Sequence, residues 1–236
     1  MKLRTKVLAL ALSLIGASTA FADTVVLNFE GIAPYPNDNN VLIQNFYNGG
    51  TSSIGTSGPN YGISFSSNAL LICLNTPGVA CSNTSRGGQG DPSSQEGALF
   101  FLSGSNTFMD DPGGFTTGFS LFYSAISEPG SLSVFSGLDG TGTLLATLAL
   151  PTTTSDCPST YAAGFCPFVP VGVSFSGTAE SISFAGVANQ IVFDDVTFGS
   201  ATPGNPTPEP STLVMLLTGA GTGVGLLRRR FMRSQA

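Results

Sequence analysis

The chain has 236 residues, of which 42% are hydrophobic and only 9% are charged, with a formal net charge of −6. A hydrophobic fraction this high is not the composition of a disordered chain. Uncharged polarity with 30 glycines favours strands and turns over helices, whose exposed faces are usually rich in Lys, Glu and Arg.

Charge is unevenly distributed along the chain. Of the 8 basic residues only Arg86 lies between the two ends, whereas all 14 acids lie in that middle part. Phosphate binding needs several cations, so this body excludes DNA and RNA as ligands. Basic residues beside apolar segments stay on the cytoplasmic side of a membrane, which makes both ends candidates for membrane-directed segments.

Residues 1–22 have the three parts of a secretory signal peptide. Lys2, Arg4 and Lys6 precede the apolar run 7–15, and the Ala-Phe-Ala sequence at 20–22 matches a cleavage pattern. We therefore predict export, with a mature chain that starts at Asp23.

Short apolar or alternating runs between Gly, Pro, Asn and Asp predict an all-β body over residues 23–200. This pattern is typical of an antiparallel β-sandwich or jelly roll. The predicted strands are 25–29, 41–46, 62–65, 70–74, 98–102, 115–123, 131–135, 144–150, 171–175, 181–184 and 190–198. The sequence Asp-Gly-Thr-Gly at 139–142 predicts a hairpin, and Asp-Pro-Gly-Gly at 111–114 predicts a break between strands. The expected core phenylalanines are Phe115, Phe119, Phe122, Phe135, Phe175, Phe184, Phe193 and Phe198.

Four cysteines lie in the body: Cys73, Cys81, Cys157 and Cys166. Export permits disulfides, and four cysteines allow three pairings. Closeness along the chain favours Cys73–Cys81 and Cys157–Cys166, which the chain-entropy model credits with about 2–3 kcal/mol each. With no histidine and no Cys-x-x-Cys spacing, a zinc site is disfavoured.

The C-terminal part has three ordered features. Residues 201–210 form a Pro-rich linker that ends in Pro208, Glu209 and Pro210. Residues 211–227 are uncharged, and as a helix they would span about 26 Å, enough to cross a bilayer with slight adjustment. A basic tail, 228–236, follows and begins with the cluster Arg228, Arg229, Arg230. We predict one transmembrane helix that anchors the exported chain in the inner membrane.

This order of motif, apolar stretch and arginine cluster closely resembles the PEP-CTERM sorting signal. The resemblance implies recognition by an exosortase, a transpeptidase-like membrane enzyme, and cleavage near Pro208, Glu209 and Pro210. Membrane anchoring would then be transient, and the product would reach the cell surface or the extracellular space. Such tails are common in bacteria that make extracellular polysaccharide.

The body also resembles ectodomains often found before this tail. The shared motifs are Asn-Phe-Glu at 28–30 and Phe-Asp-Asp-Val-Thr-Phe at 193–198, and the pattern is similar to galactose-binding and lectin-like jelly rolls. The resemblance implies structural calcium between the first and last strands, held by Glu30 with Asp194 or Asp195. A second calcium candidate is Asp110 with Asp111. The alternative is that these acids are solvated residues of turns and edges.

The catalytic mechanisms open to this chain are limited mainly by the residue types that it lacks. The chain has no His and the body has no Lys, which excludes Ser-His-Asp, Cys-His and Ser-Lys systems. Paired carboxylates remain, as in glycoside hydrolases. The candidates are Glu30, Glu96, Asp110, Asp111, Glu128, Glu180, Asp194 and Asp195. Adjacent residues of a strand point to opposite faces, so Asp194 and Asp195 could act together only at a bulge. We expect a protein that is not an enzyme.

Three functions remain open at this point. The first is a non-catalytic surface or matrix protein that binds extracellular polysaccharide, in keeping with the β-sandwich pattern, the uncharged polar surface and the sorting tail. The second is a structural envelope or biofilm component without a ligand. The third is a carboxylate-based hydrolase. The expected partners are an exosortase, the membrane and polysaccharide.

Overall fold

The computed structural model describes residues 25–33, 40–74, 97–103, 107–156 and 164–204. Over these ranges the chain forms twelve strands and two short 3-10 turns, which confirms the all-β prediction. The strands are β1 (Val26–Leu27), β2 (Val41–Leu42), β3 (Ser64–Phe65), β4 (Leu70–Cys73), β5 (Gly97–Phe100), β6 (Thr107–Phe115), β7 (Gly118–Ala125), β8 (Gly130–Phe135), β9 (Leu144–Leu150), β10 (Val169–Ser174), β11 (Ala179–Ala185) and β12 (Ile191–Phe198).

The strands form two antiparallel sheets. One has seven strands in the order β10-β7-β12-β5-β4-β2, with β1 paired to β12 beside this path, and the other has five in the order β3-β6-β11-β8-β9. Strand β12 pairs with β7 and also with β5 and β1, through Phe193 opposite Leu99 and Val196 opposite Leu27. The first and last strands are therefore direct neighbours.

The main core lies between the two sheets. Phe184 of the five-stranded sheet meets Phe193 of the seven-stranded sheet edge to face, with ring centroids 4.9 Å apart. Alternate residues of β7, Phe119, Leu121 and Tyr123, all belong to this core, as the period of two in a strand requires. The body is thus a β-sandwich.

Three of the eight predicted core phenylalanines are only half-buried. Phe122 and Phe135 follow buried Leu121 and Val134 directly, so strand alternation places them on outer faces and the prediction for them is wrong. Phe175 follows β10 and packs against the core edge.

The predicted hairpin at 139–142 is present between β8 and β9. Leu132 lies opposite Leu148, and Ser131 lies opposite Ala149. Asp139 and Gly140 take φ values of 54° and 70°, as expected for Asp-Gly at a tight hairpin connection.

The predicted break at 111–114 is wrong, because β6 runs through it to Phe115. Asp110 pairs with Ser181 and Phe115 pairs with Ala179, so four residues of β6 lie opposite Glu180 alone. We call residues 111–114 the β6 bulge. Pro112 has no N–H group and therefore needs no hydrogen-bond acceptor on the neighbouring strand. Gly114 takes a φ of 72°, a conformation that glycine adopts without strain. Strand β7 starts only at Gly118, because residues 116–117 carry the chain to the other sheet.

A second apolar cluster lies on the other face of the seven-stranded sheet and includes Ile72, Phe100, Val192 and Phe165. Neither Cys73 nor Cys166 is a free thiol, and both are buried. Cys81 and Cys157 lie outside the described residues, so the two predicted pairings stay predictions.

The chain after β12 packs back onto the seven-stranded sheet. Ser120 Oγ donates to the carbonyl of Ser200 at 2.9 Å. A Cβ at Gly172 would overlap the carbonyl oxygen of Ala201, so only glycine fits there. Residues 201–204, the start of the predicted linker, therefore belong to the folded body.

Both ends of the chain lie outside the described residues. The predicted features that fall there are the signal peptide, the motif of Pro208, Glu209 and Pro210, the 211–227 helix and the arginine cluster. Among the described residues, no helix is long and apolar enough to cross a bilayer.

Candidate functional site

A pocket of about 430 Å³ opens at the end of the sandwich where residues 116–117 cross between the sheets. It lies among the β6 bulge, the loop before β3, the end of β12 and the residue before β1. Small-molecule sites commonly measure about 300–1,000 Å³, so this pocket could hold a ligand of sugar size.

The floor of the pocket is aromatic. Phe115 and Phe198 are both buried and both line it, with ring centroids 5.1 Å apart in an edge-to-face arrangement. Phe119 packs beneath Phe198 at 6.0 Å. The floor is therefore a fixed part of the core.

One wall is formed by Tyr61, whose side chain is 46% exposed. Its ring stacks on buried Tyr47 with centroids 6.2 Å apart and planes 16° apart. The Tyr61 N–H also donates to the Tyr47 carbonyl at 2.8 Å. An exposed aromatic ring that is already held in place loses little entropy when a ligand packs on it.

Tyr47 is in turn fixed by its surroundings. Its hydroxyl accepts the Phe29 N–H at 2.8 Å, and its ring meets Phe46 edge to face at 5.0 Å. Burial raises the pKa of Tyr47 well above its ordinary value, and the charges of Asp194 and Glu30 raise it further, against a lowering by the Phe29 bond. Tyr47 thus links the pocket wall to those two acids.

Asp111 is the acidic group of the pocket wall. Its Oδ1 accepts the Gly113 N–H at 2.9 Å. Burial raises the pKa of Asp111, and the charge of Glu180 across the bulge adds to this, while the N–H groups of Gly113 and Gly114 lower it. Every Lys and Arg lies outside the described residues, so no described cation offsets Asp111 and Glu180, which we call the bulge acids.

The exposed turn beside Asp111 is held by hydrogen bonds. The Thr117 hydroxyl lies 2.7 Å from the Gly199 carbonyl and 2.6 Å from the Thr116 carbonyl. Thr117 has a φ of 73°, which is uncommon for a β-branched residue. The Phe175 N–H donates to the Thr117 carbonyl at 3.2 Å, which helps to keep the turn in this form.

Asp194 and Asp195 form a second group, the buried acidic group, and half-buried Glu30 is the first-strand acid predicted to act with them. Both aspartates are fully buried. They lie at a shift in the β12 register, where Asp195 has a φ of 46°, so the bulge that joint action would need is present. The Asp195 N–H donates to Asp194 Oδ1 at 2.8 Å, and Glu30 Oε1 accepts the Gly97 N–H at 3.1 Å.

Glu30 and Asp194 both lie close enough to Tyr47 for their charges to raise its pKa. Among the described residues, no group of three or more Cys, Asp or Glu side chains is arranged to hold a metal ion. Calcium also takes backbone carbonyl oxygens, and strained backbone at Phe29 (φ 53°) and Asp195 (φ 46°) is typical of ligand sites. Calcium at Glu30 with Asp194 or Asp195 stays a prediction.

The other candidate carboxylates are dispersed. Asp110 Oδ1 accepts the Asp139 N–H at 2.8 Å, and burial, then the Asp139 charge, raises the pKa of Asp110 against that bond's lowering. Glu128 is exposed in the connection after β7. Glu96 lies outside the described residues.

Sequence reasoning missed Tyr61 and Tyr47. The available signal was a tyrosine in the loop Pro-Asn-Tyr-Gly at 59–62, since an aromatic residue within a polar loop is often a contact residue. Nothing in the sequence indicated that Tyr47 stacks beneath it.

No protein-family model and no curated protein matches the chain. One similar solved structure holds the CBM22-1–GH10 modules of endo-1,4-beta-D-xylanase 10B from Clostridium thermocellum with xylohexaose, at 13% identity and TM-score 0.36, covering 72% of this chain and 29% of that one. A second is the C-terminal CBM6 of LamC, a marine laminarinase from Zobellia galactanivorans, at 15% identity and TM-score 0.31, covering 56% and 100%.

A third is the K3 cleaved adhesin domain of Lys-gingipain from Porphyromonas gingivalis, at 15% identity and TM-score 0.27, covering 76% and 93%. The chain thus spans 29% of the length of the xylanase structure. Likenesses with TM-scores this low carry no argument about function.

Proposed function

We propose that this chain is an exported surface or matrix protein whose sandwich binds polysaccharide, without catalysis, in the pocket at its end. The observation that carries the proposal is the half-exposed Tyr61 ring, stacked on buried Tyr47 at 6.2 Å beside a pocket of about 430 Å³. Sugar rings have apolar C–H faces that pack on aromatic rings, and their hydroxyls bond to polar wall groups such as Asp111 and Thr117.

Export and sorting belong to the same proposal and rest on the sequence. The signal peptide at 1–22 directs the chain across the membrane, the helix at 211–227 holds it, and an exosortase acts at Pro208, Glu209 and Pro210. The Gly204 N–H donates to Thr197 Oγ1 at 3.1 Å, so the chain is held to the body at a point four residues before Pro208.

A binding role fits the pocket better than hydrolysis. Glycosidases place two carboxyl groups on either side of the bond that they cut. Asp111 is the acidic residue among the pocket's described lining, and Glu180 lies across the β6 bulge outside that lining. The buried aspartates of β12 are not part of the pocket wall.

The test is a pull-down of the full chain with insoluble glycans, including chitin, chitosan, cellulose and cross-linked alginate. The proposal expects at least one glycan to retain the chain and Tyr61→Ala to weaken retention by about tenfold or more, which is about 1.4 kcal/mol. Release of soluble sugar during incubation would instead support the hydrolase.

The matched control is Val187→Ala, which truncates a side chain that is 48% exposed in the turn between β11 and β12. Retention should not change in this variant. If no glycan retains the chain, or if both variants weaken retention equally, the binding function is wrong and a ligand-free structural role is favoured.

A further inference from the structure

Two polar side chains on the pocket wall, Asp111 and Thr117, offer hydrogen-bond acceptors to a ligand. An ionised carboxylate such as Asp111 accepts hydrogen bonds and donates none. The Thr117 hydroxyl proton is directed to the carbonyls of Gly199 or Thr116, at 2.7 and 2.6 Å, which leaves its oxygen lone pairs for a ligand. A ligand that matches this wall therefore supplies donors.

Negative charge lies on this wall at Asp111 and across the β6 bulge, outside the lining, at Glu180. Glu180 is the one residue of β11 opposite the β6 bulge, and its charge is among the causes that raise the pKa of Asp111. Since every Lys and Arg lies outside the described residues, the surroundings of the bulge acids offer no described counter-ion. A positively charged ligand group would relieve this repulsion, whereas an anionic group would add to it.

The Tyr61 ring on the pocket wall also favours a positively charged ligand group. A cation within about 6 Å of a tyrosine ring centroid is attracted to the ring face. Tyr61 and Asp111 line one pocket, so an ammonium group held there could contact both the ring and the carboxylate. An ammonium has three donors and no acceptor, which matches the acceptors that Asp111 and Thr117 offer.

We propose that the pocket selects a glycan with protonated amines, that is, an amino sugar without its N-acetyl group, over neutral and acidic glycans; this inference rests on the proposed function. The sugar ring packs on Tyr61, and the ammonium group bonds to Asp111. A uronic acid is rejected because its carboxylate would face the bulge acids.

The experiment measures Kd by calorimetry for the full chain with soluble probes at near-physiological salt, so that long-range charge attraction is screened. The probes are glucosamine oligomers, N-acetylglucosamine oligomers of equal length, neutral glucan oligomers and alginate oligomers. We expect glucosamine oligomers to bind at least about tenfold more tightly than the N-acetylated ones, a difference of about 1.4 kcal/mol, and alginate oligomers not to bind.

Two variants, each of which removes one negative charge, distinguish an effect of the charge at the pocket from an effect of the net charge of the protein. Asp111→Asn should reduce the preference for the free amine to about twofold or less. Glu128→Gln should keep it, since that exposed residue follows the far end of β7, about 25 Å along the strand direction from the pocket at ~3.4 Å per residue. Unchanged melting temperatures would show that both variants are folded.

Each outcome is decisive. Equal binding of amine and N-acetyl oligomers overturns this inference but leaves the proposed function standing. An equal loss of preference in Asp111→Asn and Glu128→Gln also overturns it, since only overall charge would then matter. If none of the probes binds and no insoluble glycan retains the chain, the proposed function itself fails.

Discussion

The buried acidic group and the bulge acids both contain closely spaced carboxylates, but their surroundings differ. Asp194 and Asp195 are fully buried in the central strand of the larger sheet, and Asp194 acts on Tyr47. Asp111 is half-buried on a pocket wall, opposite Glu180. The same residue type therefore occupies two environments. The buried aspartates lie within the larger sheet, where the charge of Asp194 raises the pKa of Tyr47, and Asp111 lines the pocket that a ligand would enter.

The largest expected effect comes from removing the link between the two groups. Tyr47→Ala should lower the free energy of unfolding by about 3–5 kcal/mol, as for other large aromatic truncations in a core, and should abolish glycan binding because Tyr61 loses its support. Chemical denaturation followed by circular dichroism measures the loss. Tyr61→Ala is the control and should cost less than about 1 kcal/mol, and a Tyr47→Ala protein of normal stability would contradict the link.

The second-largest expected effect is stabilisation by calcium, which should depend on the buried acidic group and not on the bulge acids. If Glu30 with Asp194 or Asp195 binds calcium, a concentration of 100 times Kd adds about 2.7 kcal/mol of stability, and EDTA removes it. Changing Asp194 and Asp195 together to Asn should abolish this shift in melting temperature, whereas Asp111→Asn should keep it. A melting temperature that neither calcium nor EDTA changes would show that the calcium prediction is wrong.

Truncating one aspartate from each group gives a direct contrast. Asp194→Ala leaves the buried Asp195 N–H without the acceptor that it has at 2.8 Å, which costs about 1–3 kcal/mol. Asp111→Ala frees the N–H groups of Gly113 and Gly114, neither of which is buried, and relieves repulsion from Glu180, so stability should change by no more than about 0.5 kcal/mol. Thermal unfolding of the two variants side by side measures this, and equal losses would contradict the division of roles.

The smallest effect is on pH dependence. Because burial raises the pKa of Asp110 and Asp111 in the folded state, the folded protein binds protons more tightly than the unfolded chain at these sites. Their contribution to stability is fully present below the unfolded pKa of about 3.9 and is lost as pH rises through the folded pKa. Asp110→Asn should therefore raise stability at neutral pH by a few tenths of a kcal/mol and leave it unchanged near pH 3. A lower stability at neutral pH would contradict this sign.

Much of the fold could be predicted from the sequence because strand and turn signals are local. The hairpin at 139–142 and the buried last strand follow from turn residues and apolar runs. The β6 bulge could not be predicted, because Asp-Pro-Gly-Gly at 111–114 usually ends a strand and here remains in β6 only through pairing with β11. The sheet face on which Phe122 and Phe135 lie could not be predicted either, because it depends on the residue at which each strand begins.

The candidate site was predicted only in part. The resemblance implies calcium at Glu30 with Asp194 or Asp195, which stays a prediction, and the charges of Glu30 and Asp194 both raise the pKa of Tyr47. The pocket wall was missed because Tyr61 and Asp111 line one pocket only in the folded sandwich, and sequence spacing carries no information about that placement. Asp111 was noted as a carboxylate, but its position on a pocket wall depends on the bulge.

The most direct test of the account is a titration of the isotope-labelled full chain with glucosamine oligomers, followed by the backbone amide resonances. If the pocket binds the glycan, shifts should be confined to Val25 and residues 61–63, 111–118 and 198–199, which hold the described lining, and should vanish in Tyr61→Ala. Shifts centred on the outer face of either sheet, with the pocket amides unchanged, would contradict the account.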